Sequence, residues 1–281
     1  MRAVRILLLS SLLAFPQVAF ALPVPMNPEA SIIANLTAAV QGHTAMPGLV
    51  VEVGRQFLGR PYIAHTLDQP GEPLTCRLDG FDCVTFVESS VALARAIAGG
   101  SPSEAAFHEA LTQLRYRDGV RSGYGSRLHY FSDWIADNAR RGLVEDLTPS
   151  LGGVEDTRQI DFMSTHREAY PLLADNAAFQ LIESAEQSIN ARPRYMIPKD
   201  HLEAVLPMLE TGDIVGITTN IAGLDVVHTG LVDRLPDGSV HLLHAPEPGT
   251  SVCVSTKPLV EYLQGFKAHT GVMIARPLPP Q

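Results

Sequence analysis

The spacing of apolar residues changes once along this chain, at the turn formed by Thr211 and Gly212. Before this turn, apolar residues recur every three or four positions, which is typical of helices. After it, short segments rich in Val, Ile and Leu alternate with turn residues, which is typical of antiparallel strands. Strands are predicted over 213–219, 225–234, 239–245, 251–255 and 271–276. Helices followed by strands indicate an α+β fold, whose C-terminal part is an antiparallel meander of about five strands.

A cysteine stands at the start of the strongest predicted helix. Asp79 and Gly80 form a turn signal, Asp82 is a candidate N-cap, and an apolar helical pattern then runs to about Ala98. Cys83 therefore falls in the first helical turn, where free backbone N–H groups and the helix dipole favour a thiolate. The neighbouring Asp82 carboxylate opposes this effect, because its negative charge raises the pKa of the thiol. A buried cysteine that serves only in packing is the alternative interpretation.

Two histidines lie on predicted strands that a short hairpin would join. His228 lies in the second strand and His244 in the third, with the sequence Leu-Pro-Asp-Gly-Ser at 235–239 between them. A type I turn followed by a left-handed glycine makes a three-residue loop, and this loop puts His228 and His244 on the same face with His241 on the other. A two-residue loop would put His228 and His244 on opposite faces.

A cysteine nucleophile needs an imidazole that takes its proton, and that imidazole needs a polar partner that orients it. His228 as the base and His244 as the orienting group meet this requirement. Each histidine taken alone is more often a structural residue. A zinc site with His65, His228 and His244 as ligands is a further alternative, although the chain has no His-Glu-x-x-His pattern.

The first 21 residues have the form of a signal peptide. Arg2 and Arg5 precede an apolar run that is too short to span a bilayer, and 19–21 reads Ala-Phe-Ala, which fits the rule for a cleavage site. We therefore expect a mature chain that starts at Leu22 and is exported to a bacterial periplasm, without stable membrane insertion.

The formal charge of −9 argues against a nucleic-acid-binding surface. The chain has 3 cysteines, too few for a disulfide scaffold. If Cys83 is reactive, Cys76 and Cys253 are left as a candidate disulfide pair. The sequence alone does not decide whether they are bonded.

Residues 22–281 are expected to form a single domain with a helical insert at about 101–200. Helices are predicted over 28–41, 48–58, 103–115 and 175–190 and from about 127, and a strand over 156–163.

Several short motifs occur in the order that they have in one group of hydrolases. These are Gly-Arg-Pro-Tyr at 59–62, Asp-Cys at 82–83, Thr-Gly-Asp-Ile-Val at 211–215, His-Thr-Gly-Leu at 228–231 and Leu-His-Ala at 243–245. Together they resemble the NlpC-type cell-wall hydrolases, a papain-like cysteine peptidase superfamily. The segments at 127–134, 160–164, 197–200 and 218–220 resemble a larger branch of that superfamily, the N-acetylmuramoyl-L-alanine amidases. Two residues depart from the usual pattern, since Val84 follows the nucleophile and His65 stands where a glycine is expected.

The resemblance implies a papain-like fold and a cysteine-dependent hydrolase that cleaves the amide between N-acetylmuramic acid and L-alanine in peptidoglycan fragments. Cleavage between D-glutamate and the diamino acid of the stem peptide is one alternative, and a muropeptide-binding protein without catalysis is another. The implied partners are muropeptides, and the chain is expected to be a monomer that needs no cofactor and no metal.

The resemblance also implies roles for individual residues. Cys83, His228 and His244 are the implied catalytic residues. Tyr62 and Asp82 lie near the site, and the Tyr62 hydroxyl is a candidate donor to the oxyanion. The expected substrate-binding residues are Arg127, His129 and His65, of which Arg127 suits the carboxylates of a muropeptide.

Overall fold

The computed structural model describes residues 28–40, 42 and 45–281. The predicted signal peptide lies outside the described residues. In the part of the chain that is described, no helix combines the length and hydrophobicity that crossing a membrane requires.

The helices predicted from apolar spacing are present, with small shifts at their ends. The helical elements are α1 (Pro28–Ala39), α2 (Met46–Arg55), α3 (Cys83–Ala98), α4 (Glu104–Arg115), α5 (Phe131–Arg140), α6 (Phe162–Thr165), α7 (Asn176–Asn190), α8 (Leu202–Val205) and α9 (Leu259–Gln264). The predicted strand over 156–163 is wrong, since 156–161 form a connection without a strand and 162–163 already belong to α6. Asp161 precedes α6, and its backbone N–H is bonded to the carbonyl of Gly223 rather than to a strand ladder.

All five predicted C-terminal strands are present, but they form part of a larger sheet. The strands are β1 (Val144–Asp146), β2 (Val154–Glu155), β3 (Tyr195–Pro198), β4 (Ile214–Thr219), β5 (Val226–Arg234), β6 (Val240–His244), β7 (Cys253–Val254) and β8 (His269–Pro277). They form one 8-stranded antiparallel sheet in the order β2-β3-β8-β4-β5-β6-β7, with β1 also paired to β8.

The simple five-stranded meander is therefore corrected in two ways. The last strand, β8, returns to pair with β4 instead of β7. The insert at 101–200 is not purely helical, because it contributes β1, β2 and β3 to the other side of β8. Strand partners of this kind depend on contacts between residues far apart in the chain, which local apolar patterns do not encode.

The central strands are buried on both faces of the sheet, so apolar residues occur both at the positions that point to one face and at those that point to the other. Ile214, Leu231 and Leu243 face a core that includes α2, α3 and α4. Val215 and Val232 face a second core on the opposite side, with residues of α8 and α9. Within the insert, a third apolar cluster joins α7 to the segments around Tyr130 and Met163. Helix α3, which begins at Cys83, thus lies on one face of the sheet, packed against β5.

The hairpin between β5 and β6 has the three-residue loop that its sequence predicts. The Leu235 N–H donates to the Ser239 carbonyl at 2.9 Å, and Gly238 has the left-handed φ of 88°. Leu231 is therefore paired with Leu243, and the register places His228 and His244 on one face.

Candidate active site

Cys83 is the first residue of α3, and the cap that precedes it determines this position. The Asp82 carboxylate accepts a hydrogen bond of 2.8 Å from the Thr85 backbone N–H, and the Thr85 hydroxyl accepts one of 2.9 Å from the Asp82 backbone N–H. This reciprocal arrangement satisfies two backbone donors and starts the helix at one defined residue. The prediction of an N-cap at Asp82 is confirmed.

Tyr62 pairs with Phe81 in a short parallel bridge, which places it beside the turn that leads into α3. Burial, followed by the nearby groups of Cys83 and Asp82, raises the pKa of Tyr62 to about 12. The phenol therefore keeps its proton at neutral pH and is available as a hydrogen-bond donor close to the thiol.

The two histidines on the hairpin are in direct contact. His228 Nε2 lies 2.7 Å from His244 Nδ1, and the rings meet nearly edge to face. Both are buried, with 8% of His228 and 2% of His244 exposed. His241 lies on the other face, where its Nδ1 donates to the Ser255 carbonyl at 2.6 Å. The predicted pairing of His228 with His244 is therefore present in the structure.

The contact between the rings restricts which nitrogen of His228 can act. One proton lies between His228 Nε2 and His244 Nδ1. In the tautomer where His228 Nε2 carries that proton, His228 Nδ1 is an unprotonated acceptor, as a general base requires. His244 in turn packs edge-on against the ring of Tyr262, with centroids 5.3 Å apart. The pair thus supplies a buried imidazole with a fixed orientation.

The electrostatics favour neutral side chains in the resting site. Burial and then the Asp82 carboxylate raise the pKa of Cys83 to about 12, against the opposing effect of backbone N–H groups that include that of Thr229. Burial, followed by repulsion from His244, lowers the pKa of His228 to about 3, and burial lowers that of His244 to about 4. Burial and the Asp82 carboxylate therefore oppose the thiolate that the helix start favours.

A cavity of about 170 Å³ opens on the thiol. Cys83, His228 and Thr229 form one side of it. The insert also lines the cavity, through Leu128, His129, Tyr130, Phe131, Met163 and Tyr170. The nucleophile candidate Cys83 and His228 therefore share one pocket, and His244 lies behind His228 as its hydrogen-bond partner.

A family model described as AmiA-like, N-acetylmuramoyl-L-alanine amidase-like, matches residues 52–272. The chain belongs to this AmiA-like family. The match covers α3, the hairpin and the insert, so every residue of the Cys83 pocket lies within it.

Solved structures agree with this assignment. An N-acetylmuramoyl-L-alanine amidase from Bacteroides uniformis is 36% identical, with a TM-score of 0.78 over 83% of this chain and 99% of that one. A Bacteroides fragilis protein, whose structure is named for a xylanase, is 37% identical, with a TM-score of 0.73 over 79% and 98% of the two chains. A Legionella pneumophila protein at 23% identity shares the fold, with a TM-score of 0.68 over 89% and 95%. No curated protein matches the chain.

Of the three residues expected to bind substrate in this AmiA-like chain, His129 alone lines the cavity. Its Nε2 donates to the Tyr124 carbonyl at 2.9 Å, which leaves Nδ1 as an acceptor. Burial, followed by the charge of Arg127, lowers the pKa of His129 to about 3. His129 is therefore a neutral group that can accept a hydrogen bond from a ligand.

Arg127 and His65 lie outside the lining of this pocket. The Arg127 guanidinium is buried and is held by the Leu67 carbonyl at 3.1 Å and by Asp68 and Glu72, each at 3.4 Å. A substrate carboxylate would have to compete with these carboxylates, so substrate binding by Arg127 stays a prediction. His65 is exposed and has the left-handed φ of 60°, which explains why a glycine suits this position.

The structure also shows pocket residues that the sequence analysis of this AmiA-like chain missed. Asp225 is buried at the start of β5, where its carboxylate accepts a hydrogen bond of 2.7 Å from the Ser132 backbone N–H. The Tyr130 hydroxyl donates to Glu186 at 2.7 Å and accepts from the Met163 backbone N–H at 2.8 Å. A polar residue at a predicted strand start was the available signal for Asp225. No local pattern connects Tyr130 with Glu186 on α7.

The alternative zinc site of three histidines does not form. His65 lies on an exposed loop, while His228 and His244 are buried. Among the described residues, the His, Cys, Asp and Glu side chains bring three ligand atoms within 4.8 Å of one another at Glu29, Cys76 and His108. This group shares no residue with the Cys83 pocket of the AmiA-like site. The three cysteines are free thiols, so Cys76 and Cys253 are not joined.

Proposed function

We propose that this chain is a cysteine-dependent peptidoglycan amidase of the papain-like, NlpC-type superfamily, which hydrolyses the amide between N-acetylmuramic acid and L-alanine. The observation that carries the proposal is the shared pocket, which Cys83 at the start of α3 and His228 both line, with His228 bonded to the buried His244. A helix-start cysteine with an oriented imidazole is the arrangement used for thiol-based acyl transfer. The AmiA-like family and the Bacteroides uniformis amidase support the choice of bond.

In the proposed mechanism, His228 Nδ1 takes the Cys83 proton as the sulfur attacks the lactyl carbonyl of the muramic acid. Proton removal coupled to attack suits a thiol whose resting pKa is high and an imidazole that rests neutral. The negative charge on the carbonyl oxygen is stabilised by the Cys83 backbone N–H and the Tyr62 hydroxyl.

The second half of the cycle reverses these roles. His228 returns its proton to the L-alanine nitrogen, the C–N bond breaks, and the peptide leaves with a free amino group. His228 then removes a proton from water, which attacks the thioester and releases the acid and the Cys83 thiol. In both halves His244 keeps the base aligned.

A glycosidase would need a different site. Such enzymes place two carboxyl groups on either side of the scissile bond. The residues that line the Cys83 pocket include one carboxylate, Asp225, which is buried and held by the Ser132 backbone N–H. The lining of the Cys83 pocket therefore lacks the pair of carboxyl groups that the xylanase named in the Bacteroides fragilis structure would use.

The test is digestion of a defined muropeptide, with the products weighed by mass spectrometry. Release of an intact peptide that begins with L-alanine supports the amidase. A sugar that retains L-Ala-D-Glu supports the endopeptidase, and binding without any product supports a non-catalytic protein. The Cys83→Ala variant is the matched control, because it should bind the muropeptide and release nothing. Metal-dependent turnover that persists in Cys83→Ala would contradict the cysteine mechanism.

We also propose that the enzyme is exported and that its mature form is a single-domain monomer that begins at Leu22. Mass spectrometry of the protein recovered from the periplasm gives its N-terminus, and an N-terminus that retains Arg2 would contradict cleavage. Light scattering of the same sample tests the monomer.

A further inference from the structure

The group formed by Glu29, Cys76 and His108 has the chemistry of a metal site and takes no part in the proposed catalysis. Glu29 lies in α1, Cys76 in the connection from α2 to α3, and His108 in α4. One ligand atom from each lies within 4.8 Å of the other two, and all three residues are half-buried. We propose that these residues bind a zinc ion, which fastens the N-terminal helix α1 to the body of the protein.

The donor set and its spacing fit zinc. Thiolate, imidazole and carboxylate are its usual ligands, and bonds of about 2.0–2.3 Å place tetrahedral ligand atoms roughly 3.4 Å apart. His108 Nε2 and Glu29 Oε1 are 2.9 Å apart, so these two atoms need to separate by only a few tenths of an ångström. Three protein ligands leave a fourth position for water. Half-burial leaves a route by which the ion can enter.

The charges around the site are compatible with a cation. Arg115 lies beside Cys76, but its guanidinium is bonded to Glu88 at 2.7 Å and to the Thr75 carbonyl at 2.7 Å, and the neighbouring Arg77 is paired with Asp79 at 2.8 Å. Cysteine binds zinc as the thiolate, so the ion takes the place of the Cys76 thiol proton.

The position of the site explains what the ion would do. α1 packs on α4, and its Ile33 and Leu36, together with Val40 just after the helix, reach the main core. A metal that joins α1, α4 and the connection to α3 adds a cross-link at the first turn of α1, beyond these apolar contacts. A ligand that binds only the folded state stabilises it in proportion to its occupancy. The ion should therefore raise the thermal midpoint and protect α1 from proteolysis, without a change in turnover.

The experiment uses Co²⁺ as a spectroscopic probe on the mature chain with Cys83→Ala and Cys253→Ser, in which Cys76 is the remaining thiol. We expect about one Co²⁺ per chain, with a thiolate-to-cobalt charge-transfer band and the visible bands of tetrahedral coordination. Adding Cys76→Ser or His108→Ala should abolish the charge-transfer band, and Glu29→Gln should weaken binding about tenfold or more. His201→Ala is the matched control, since His201 is exposed and should leave the spectrum unchanged.

A second measurement keeps the test valid if a variant folds poorly. Zinc should raise the thermal midpoint of the unsubstituted chain, and a chelator should reverse this rise while the initial rate of amide hydrolysis stays the same. The absence of a charge-transfer band, a band that survives His108→Ala, or binding that is lost with His228→Ala would overturn the proposal. A rate that falls on chelation would instead count against the cysteine mechanism, so the two proposals fail separately.

Discussion

Replacing His244 with Ala tests the histidine pair directly. The substitution removes the acceptor 2.7 Å from His228 Nε2, in a site where 8% of His228 is exposed. His228 is charged once it holds the thiol proton, and a hydrogen bond to a charged group contributes about 1.5–3 kcal/mol. Because about 1.4 kcal/mol corresponds to a factor of ten, loss of this bond in the transition state should lower kcat/KM roughly 10- to 150-fold. His228→Ala should cost more, since it removes the base itself.

The assay is peptide release from a defined muropeptide, measured for proteins of equal folded fraction by circular dichroism. His244→Asn should recover part of the loss, because its amide oxygen can accept the same hydrogen bond. His241→Ala is the control, since His241 lies on the same strand but faces away from the pocket and bonds to Ser255. Equal activity of His244→Ala and His241→Ala, within a factor of two, would refute the orienting role.

Three further predictions concern the charges of the site. Asp82→Asn keeps a capping side chain but removes the carboxylate that raises the pKa of the Cys83 thiol. Iodoacetamide should therefore label Cys83 faster at a given pH, and an unchanged rate would contradict this. In the unsubstituted protein, labelling of Cys83 should rise about tenfold per pH unit from pH 7 to 9, whereas a plateau would indicate a resting ion pair. The folded-state pKa values of His228 and His244 lie below the unfolded value of about 6.5, so unfolding takes up protons below that pH. Stability is therefore complete above pH 6.5 and should fall by up to about 2 kcal/mol per histidine at pH 5, as measured by urea unfolding; a curve that is flat between pH 7 and 5 would show that the rings are not buried neutral.

The parts of the site that could be predicted from the sequence depend on contacts between near neighbours. The cap at Asp82 involves a residue three positions away, and the Pro-Asp-Gly loop sets the register of its own hairpin. Both are decided by backbone geometry within a few residues, so the positions of Cys83 and of the His228–His244 pair followed from local chemistry. The strand pattern after Gly212 likewise predicted which segments are strands.

The parts that could not be predicted depend on contacts between distant segments. β8 pairs with β4, and three strands of the insert extend the sheet, because main-chain partners are selected by packing and not by periodicity. Arg127 is enclosed by Asp68 and Glu72 through the path of a loop some sixty residues earlier in the chain. The burial that raises the pKa of Cys83 likewise depends on distant segments, because strand β5 and the insert cover the thiol. Local chemistry therefore set the helix start at Cys83 and the pairing of His228 with His244, whereas tertiary packing brought Cys83 and His228 into one pocket and set its shape and the burial of its groups.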